Sequence, residues 1–142
     1  MNPASTRPAR ALDHAVRETV ERALAPFGFV RLAAVFGSMA SGRQRPDSDL
    51  DIAILADRPL TAEQRIALID ALALSSGRAI DLVDLKAVGQ PLLHQIMRHG
   101  KIVLGSTEAW ASLMYRNLVD RADFVPLQER MLRERRERWI GK

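Results

Sequence analysis

Apolar residues follow two patterns along the chain, and together they predict alternating helices and strands. Some segments place apolar residues three or four positions apart, which is typical of a helix that buries one face. These segments span residues 10–25, 61–75, 90–99 and 106–122. Other segments are short continuous apolar runs, which are typical of strands buried in a sheet. These runs span residues 30–36, 49–55, 79–85 and 101–104. The pattern therefore predicts a sheet of about four strands with helices packed against it.

Local signals mark several element ends and predict which side chains are buried. Thr61 and Gln64 fit a capping box at the start of the second helix, and Gly77 suits its end. Lys101 suits a strand at the edge of a sheet. The apolar spacing predicts two buried stripes. They comprise Ile66, Ile69, Leu72 and Ala73 on the second helix, and Trp110, Leu113, Met114, Leu118 and Val119 on the last one.

The two ends of the chain differ from its middle. Residues 1–10 contain two prolines and small polar side chains, which predicts a disordered lead-in before a single domain at residues 11–142. Residues 123–126 end in a proline and are expected to kink or break the last helix. Residues 127–142 then form a basic C-terminal helix. This helix is either a solvated surface or a docking arm for a partner, and the sequence favours neither strongly.

Length and composition limit the possible functions. The 142 residues suffice for one core, and they include 47% apolar residues, 27% charged residues and no cysteine. A disulfide framework and a thiolate metal site or nucleophile are thereby excluded. No secretory signal and no apolar run of about 18 residues is visible, so a cytoplasmic location without a membrane span is expected. The net charge of +4 fits a triphosphate, an acidic protein or a nucleic acid. Aromatic residues are only 5%, which argues against direct nucleic-acid binding.

The most informative stretch is the motif G-S-x10-D-x-D at residues 37–51. Asp49 and Asp51 lie two positions apart in a strand, so they point to the same face with Cα atoms about 7 Å apart. Two such carboxylates can converge on divalent cations. Gly37 permits close backbone approach to a phosphate, and Ser38 offers an N–H group and a hydroxyl as donors. The motif predicts a metal-dependent phosphate site, against the simpler interpretation of a hairpin with an acidic rim.

A third strand carries two further carboxylates. Asp81 lies inside an apolar strand, where a carboxylate is costly unless it binds a metal or a hydrogen-bond partner. The simpler interpretation of Asp81 is a strand-end residue paired with an arginine. Asp84 lies on the opposite face, three positions further on, and is expected to cap the end of the strand.

The motif and the order of elements resemble the minimal nucleotidyltransferases of the DNA polymerase beta superfamily. The resemblance extends over residues 11–138 and includes the segment IDLVDLKAVGQPLLHQIMRHGKIVLG. It implies an α+β fold with a small mixed β-sheet. It also implies that Asp49, Asp51 and Asp81 are the catalytic carboxylates and hold two Mg²⁺ ions, with ATP as the substrate.

The resemblance further implies which residues bind the nucleotide. These are Gly37, Ser38, Arg43 and Ser48. Members of the family often have arginine where this chain has Ser41, so either Arg43 or Arg45 would neutralise the triphosphate in its place. Both arginines can equally be solvated loop charges.

Proteins of this type are mostly antitoxin partners of HEPN-domain toxins, and they transfer AMP from ATP to a tyrosine of the toxin. The resemblance therefore implies a protein adenylyltransferase antitoxin. Two alternatives stay open. One is an antitoxin that neutralises its partner by binding alone, and the other is a nucleotidyltransferase that acts on a small molecule or RNA.

Overall fold

The computed structural model describes Leu12 and residues 14–37 and 48–140; within the last range the side chains of residues 123–127, 137, 139 and 140 are not described. The described part contains four helices and four strands. In chain order they are α1 (His14–Leu24), β1 (Val30–Phe36), β2 (Leu50–Ala56), α2 (Ala62–Ser76), β3 (Ile80–Asp84), α3 (Leu92–His99), β4 (Lys101–Gly105) and α4 (Thr107–Ile140). All eight elements were predicted within a few residues, except for the end of α4. The predicted lead-in, residues 1–10, lies outside the described residues.

The strands form one mixed sheet in the order β3-β2-β1-β4. β1 pairs antiparallel with both β2 and β4, whereas β2 and β3 run parallel. The parallel pair requires a crossover connection, which α2 supplies. β4 lies at an edge of the sheet, as Lys101 indicated. The α+β class and the mixed sheet of four strands are confirmed.

Helices cover both faces of the sheet and bury its apolar side chains. On one face, α1 and α2 cover Leu50, Ile52 and Ile54 of β2, which are at most 1% exposed. On the other face, α3 and the first part of α4 pack over Ala53 and its neighbours. The alternating side chains of β2 therefore enter two separate cores, and the face that carries Ala53 also carries Asp51.

Helix α2 begins and ends as predicted, and it packs Leu72 and the half-buried Ile69 against the core as predicted, but the rest of its buried stripe differs. The Thr61 hydroxyl accepts from the Gln64 N–H at 3.1 Å, and the Gln64 side chain accepts from the Thr61 N–H at 3.0 Å. Leu68 and Leu72 are buried, whereas Ile66 is 59% exposed, so its predicted burial is wrong. Apolar residues surround this helix on nearly all sides, and their spacing therefore does not select one face.

Helix α4 is one continuous helix of 34 residues, so the predicted break near Pro126 is wrong. Residues 127–140 belong to this helix and do not form a separate one. Proline costs the helix only one backbone hydrogen bond, and the residues that follow, QERMLRERRER, are nearly all strong helix formers. The helix therefore continues past Pro126. At the start of the helix the Ser106 hydroxyl accepts from the Ala109 N–H at 3.1 Å, which caps the first turn.

The predicted core stripe of α4 is correct only at its beginning. Leu113 is buried and Trp110 packs against the same cluster. Met114, Leu118 and Val119 are 47%, 65% and 42% exposed, so their predicted burial is wrong. Among the described side chains of α4, only Leu113 and Asn117 are buried, so the buried face of this helix is narrower than predicted. Within the described ranges, none of the helices has an apolar stretch long enough to cross a membrane.

Candidate active site

The predicted site residues that the structure describes lie at one end of the sheet. β1 ends there at Phe36, and the antiparallel β2 begins there at Leu50. In the sheet register, Asp51 lies directly between Phe36 of β1 and Asp81 of β3. Asp51 and Asp81 are in-register partners in a parallel pair, so their side chains share one face. The structure thus places Asp81 beside the D-x-D strand, as the resemblance implies.

Asp51 and Asp81 form a close carboxylate pair. Burial raises the pKa of Asp51 above its ordinary value, and the charge of Asp81 and a hydrogen bond with its side chain raise this pKa further. The charge of Asp49 makes a smaller contribution in the same direction. A hydrogen bond between two carboxyl groups requires a proton on one of them, because an ionised carboxylate only accepts. This negatively charged pair is suited to a cation or to holding a proton.

Asp49 lies outside the sheet, one residue before β2, and its side chain is exposed. The next residue is fixed, because the Leu50 N–H donates to the Ala79 carbonyl oxygen at 2.9 Å. Across residues 14–37 and 48–140, no three His, Cys, Asp or Glu side chains are gathered tightly enough to hold a metal ion by themselves. The site therefore consists of the Asp51–Asp81 pair with Asp49 beside it.

This donor set fits Mg²⁺ bound together with a substrate. Mg²⁺ usually takes one or two carboxylates from the protein and completes its octahedron with phosphate oxygens and water. Burial, together with the charges of Asp81 and Asp49, raises the pKa of Asp51, so a bound cation would favour its ionised form. Asp49, Asp51 and Asp81 are the residues that would hold the metal.

Gly37 closes the site from the side of β1. Its φ angle is +68°, in the left-handed region that only glycine enters at little cost. A Cβ atom at this position would lie 2.1 Å from Asp51 Oδ2, far inside van der Waals contact. Both the backbone turn and the space for the Asp51 carboxylate therefore require glycine here.

The remaining predicted nucleotide-binding residues are only partly visible. Ser38 and Arg43 lie outside the described residues, as do Ser41 and Arg45. Ser48 is half-buried directly before Asp49. Its carbonyl oxygen accepts from Arg78 Nη1 at 2.9 Å. Their roles toward a nucleotide remain predictions.

Two other charged residues, at opposite ends of β3, have structural contacts. Asp84 is buried and accepts from the N–H groups of Leu60 and Lys86 at 2.8 and 2.9 Å, which confirms the predicted cap. Arg78 was not singled out by the sequence reasoning. The only sequence feature that could have identified Arg78 is its position between Gly77, which ends α2, and the apolar start of β3.

The raised pKa of Asp51 predicts a pH-dependent cost to stability. Between the ordinary aspartate pKa of about 4 and the raised pKa of Asp51, the folded state holds more protons than the unfolded chain. Stability therefore falls as the pH rises through this window. Asp51→Asn should raise the melting temperature of the metal-free protein at neutral pH, and the difference should vanish in acid below about pH 4. Thermal unfolding of both proteins in chelator across pH 3–8 measures this difference in melting temperature. A melting temperature of Asp51→Asn at pH 7 that is equal to or lower than that of the parent would contradict the prediction.

Comparison with known proteins decides the family. Residues 18–109, well over half of the chain, match the model of the family described as polymerase beta, nucleotidyltransferase. The chain belongs to this nucleotidyltransferase family. The matched range contains all three carboxylates and Gly37, but only the start of α4.

The chain is also similar to one individual relative in sequence and to two solved structures in fold. The chain is 35% identical over 79 residues to the protein adenylyltransferase MntA of Shewanella oneidensis, an alignment that covers 56% of this chain and 57% of that relative. A crystal structure of a toxin–antitoxin with AMP-PNP matches 83% of this chain and 96% of its own, with a TM-score of 0.74 and 24% identity. A structure of the tri-AMPylated S. oneidensis HEPN toxin in complex with the MNT antitoxin matches 82% of this chain and 96% of its own, with a TM-score of 0.62 and 22% identity. At these identities the two structures establish the shared fold.

Proposed function

We propose that this nucleotidyltransferase transfers AMP from ATP to a hydroxyl group of a HEPN-domain toxin and thereby neutralises it. The observation that carries the proposal is the in-register Asp51–Asp81 pair at the sheet end, with Gly37 against it. Carboxylates in this arrangement suit an oxygen-ligated cation and a phosphate chain. The antitoxin role and the tyrosine acceptor are part of the proposal.

Bound Mg²⁺, as two ions, would neutralise the triphosphate and lower the pKa of the attacking hydroxyl. Asp49, Asp51 and Asp81 would provide its protein ligands. Gly37 leaves the Asp51 carboxylate free of side-chain obstruction and lets the main chain approach the phosphates. Ser38 and Arg43, in the segment that follows, would bind the phosphate oxygens and offset their charge.

The reaction is a displacement at the α-phosphorus of ATP. The acceptor oxygen forms a bond to the α-phosphorus, the bond from that phosphorus to its bridging oxygen breaks, and pyrophosphate leaves with the electron pair. The acceptor proton passes to Asp81, whose exposed side chain lies beside Asp51 in the sheet register. Catalysis depends mainly on positioning and on charge neutralisation.

Two observations support a protein acceptor. The relative MntA is a protein adenylyltransferase, and a structure with the same fold contains an AMPylated HEPN toxin. In this chain, the described side chains at 128–136 and 138 of α4 are all exposed, including Met131 and Leu132 at 56% and 59%. A helix with so little packing gains stability when a partner covers its apolar side chains. This part of α4 is therefore the proposed contact with the toxin.

The position of the radioactive label in ATP tests the reaction class. The chain is incubated with Mg²⁺ and a HEPN-domain toxin, using ATP labelled at either the α- or the γ-phosphate. Nucleotidyl transfer labels the partner from α-labelled ATP only. Label from γ-labelled ATP would indicate phosphoryl transfer, and no label from either would contradict the proposed activity.

A further inference from the structure

We infer that Arg78 is a positioning residue for Asp49, the one carboxylate of the site that the sheet does not hold; the inference rests on the proposed function. Asp51 and Asp81 are fixed by strand pairing on β2 and β3. Asp49 precedes β2, so its direction depends on contacts made by its two neighbours in the chain.

Both neighbours of Asp49 are held by the turn that joins α2 to β3. Before Asp49, the Ser48 carbonyl oxygen accepts from Arg78 Nη1 at 2.9 Å. After Asp49, the Leu50 N–H donates to the Ala79 carbonyl oxygen at 2.9 Å. The residues 78–79 thus hold the main chain on both sides of Asp49.

Arg78 is itself well placed to act as this anchor. It follows Gly77, whose left-handed φ of +68° ends α2 and directs the chain back toward the sheet. The Arg78 N–H donates to the Ser76 hydroxyl at 3.2 Å, and the residue is half-buried. A guanidinium group keeps its charge at any relevant pH and bonds a carbonyl with fixed geometry. Without the Arg78 guanidinium, the Ser48 carbonyl oxygen loses this hydrogen bond and the main chain at Asp49 is less restrained. The Asp51–Asp81 pair is still held by the hydrogen bonds between β2 and β3.

Arg65 provides a matched control. It is also half-buried, and its Nη1 donates to the Leu82 carbonyl oxygen at 2.9 Å. Leu82 lies inside β3 and is already paired with Ile52. Loss of the Arg65 bond therefore removes an interaction of the same type and length from backbone that the sheet holds independently.

The test measures Mg²⁺-dependent binding of AMP-PNP by calorimetry, together with the melting temperature, for Arg78→Met, Arg78→Lys and Arg65→Met. Arg78→Met should weaken AMP-PNP affinity about tenfold and raise the Mg²⁺ concentration needed for half-maximal binding. Arg78→Lys, which keeps one donor, should recover part of the loss. Arg65→Met should lower the melting temperature by a similar amount and leave affinity within about twofold.

Equal losses of affinity in Arg78→Met and Arg65→Met, in proportion to their melting temperatures, would overturn the inference and assign Arg78 a structural role only. If Arg78→Met does not fold, the same comparison between Arg78→Lys and Arg65→Met decides. Failure of the parent protein to bind AMP-PNP with Mg²⁺ is a distinct outcome, which overturns the proposed function and the inference with it.

Discussion

Asp49→Asn combined with Asp51→Asn is expected to lower the rate of AMP transfer by at least about a thousandfold, because the site loses two of its three anionic ligands. Asparagine keeps the shape of each side chain and removes only its charge. The fold should be retained, since Leu50, Ile52 and Ile54 still fill the core on the other face of β2. Transfer of label from α-labelled ATP measures the rate, and circular dichroism checks the fold.

Asp70→Asn is the matched control for this charge removal. Asp70 is an exposed carboxylate on α2, so its loss should leave the transfer rate within about twofold. The assignment of the site is wrong if the double variant retains activity close to that of the parent. It is equally wrong if Asp70→Asn and the double variant lose activity to the same extent.

Gly37→Ala is expected to have the second largest effect, with the transfer rate reduced by about a hundredfold or more. The new methyl carbon would lie 2.1 Å from Asp51 Oδ2, so the carboxylate has to leave its position beside Asp81. The left-handed φ of +68° adds a backbone cost of about 1–2 kcal/mol to the free energy of folding. Both rate and stability should therefore fall.

Gly77→Ala separates these two causes. Gly77 has the same φ of +68°, but a Cβ atom there would have no neighbour within 4 Å. Alanine can hold the same turn and so leave Arg78 in place, so Gly77→Ala should lose only the backbone cost of about 1–2 kcal/mol and keep most of the transfer rate. If the two alanine variants lose activity equally, the effect of Gly37 is one of backbone strain and not of its contact with Asp51.

The sequence predicted the strands and the candidate site because their signals are local. The apolar run before Gly37 and the spacing of Asp49 and Asp51 all lie within the 22 residues 30–51. A carboxylate inside the apolar run of β3 distinguished Asp81, and its spacing from Asp84 separated the two faces. The parallel register then brought Asp81 beside Asp51.

The errors concern choices that tertiary packing makes. Leu68 and Ile66 are equally apolar, and only the placement of α2 on the sheet buries the first and exposes the second. Met114 and Leu118 directly follow the buried Leu113 and Asn117, and only the placement of α4 decides which residue of each pair is buried. The contact between Arg78 and Ser48 joins residues 30 positions apart, and no local pattern predicts it.

The measurement that tests the central claim most directly is the intact mass of the HEPN-domain partner after co-expression with this chain. The partner should be heavier by one or more AMP units, and the added mass should be absent when Asp49→Asn and Asp51→Asn are combined. Toxicity should return with that double variant. An unmodified partner that is nevertheless neutralised, equally well by the parent and by the double variant, would contradict the account and leave binding alone as the function.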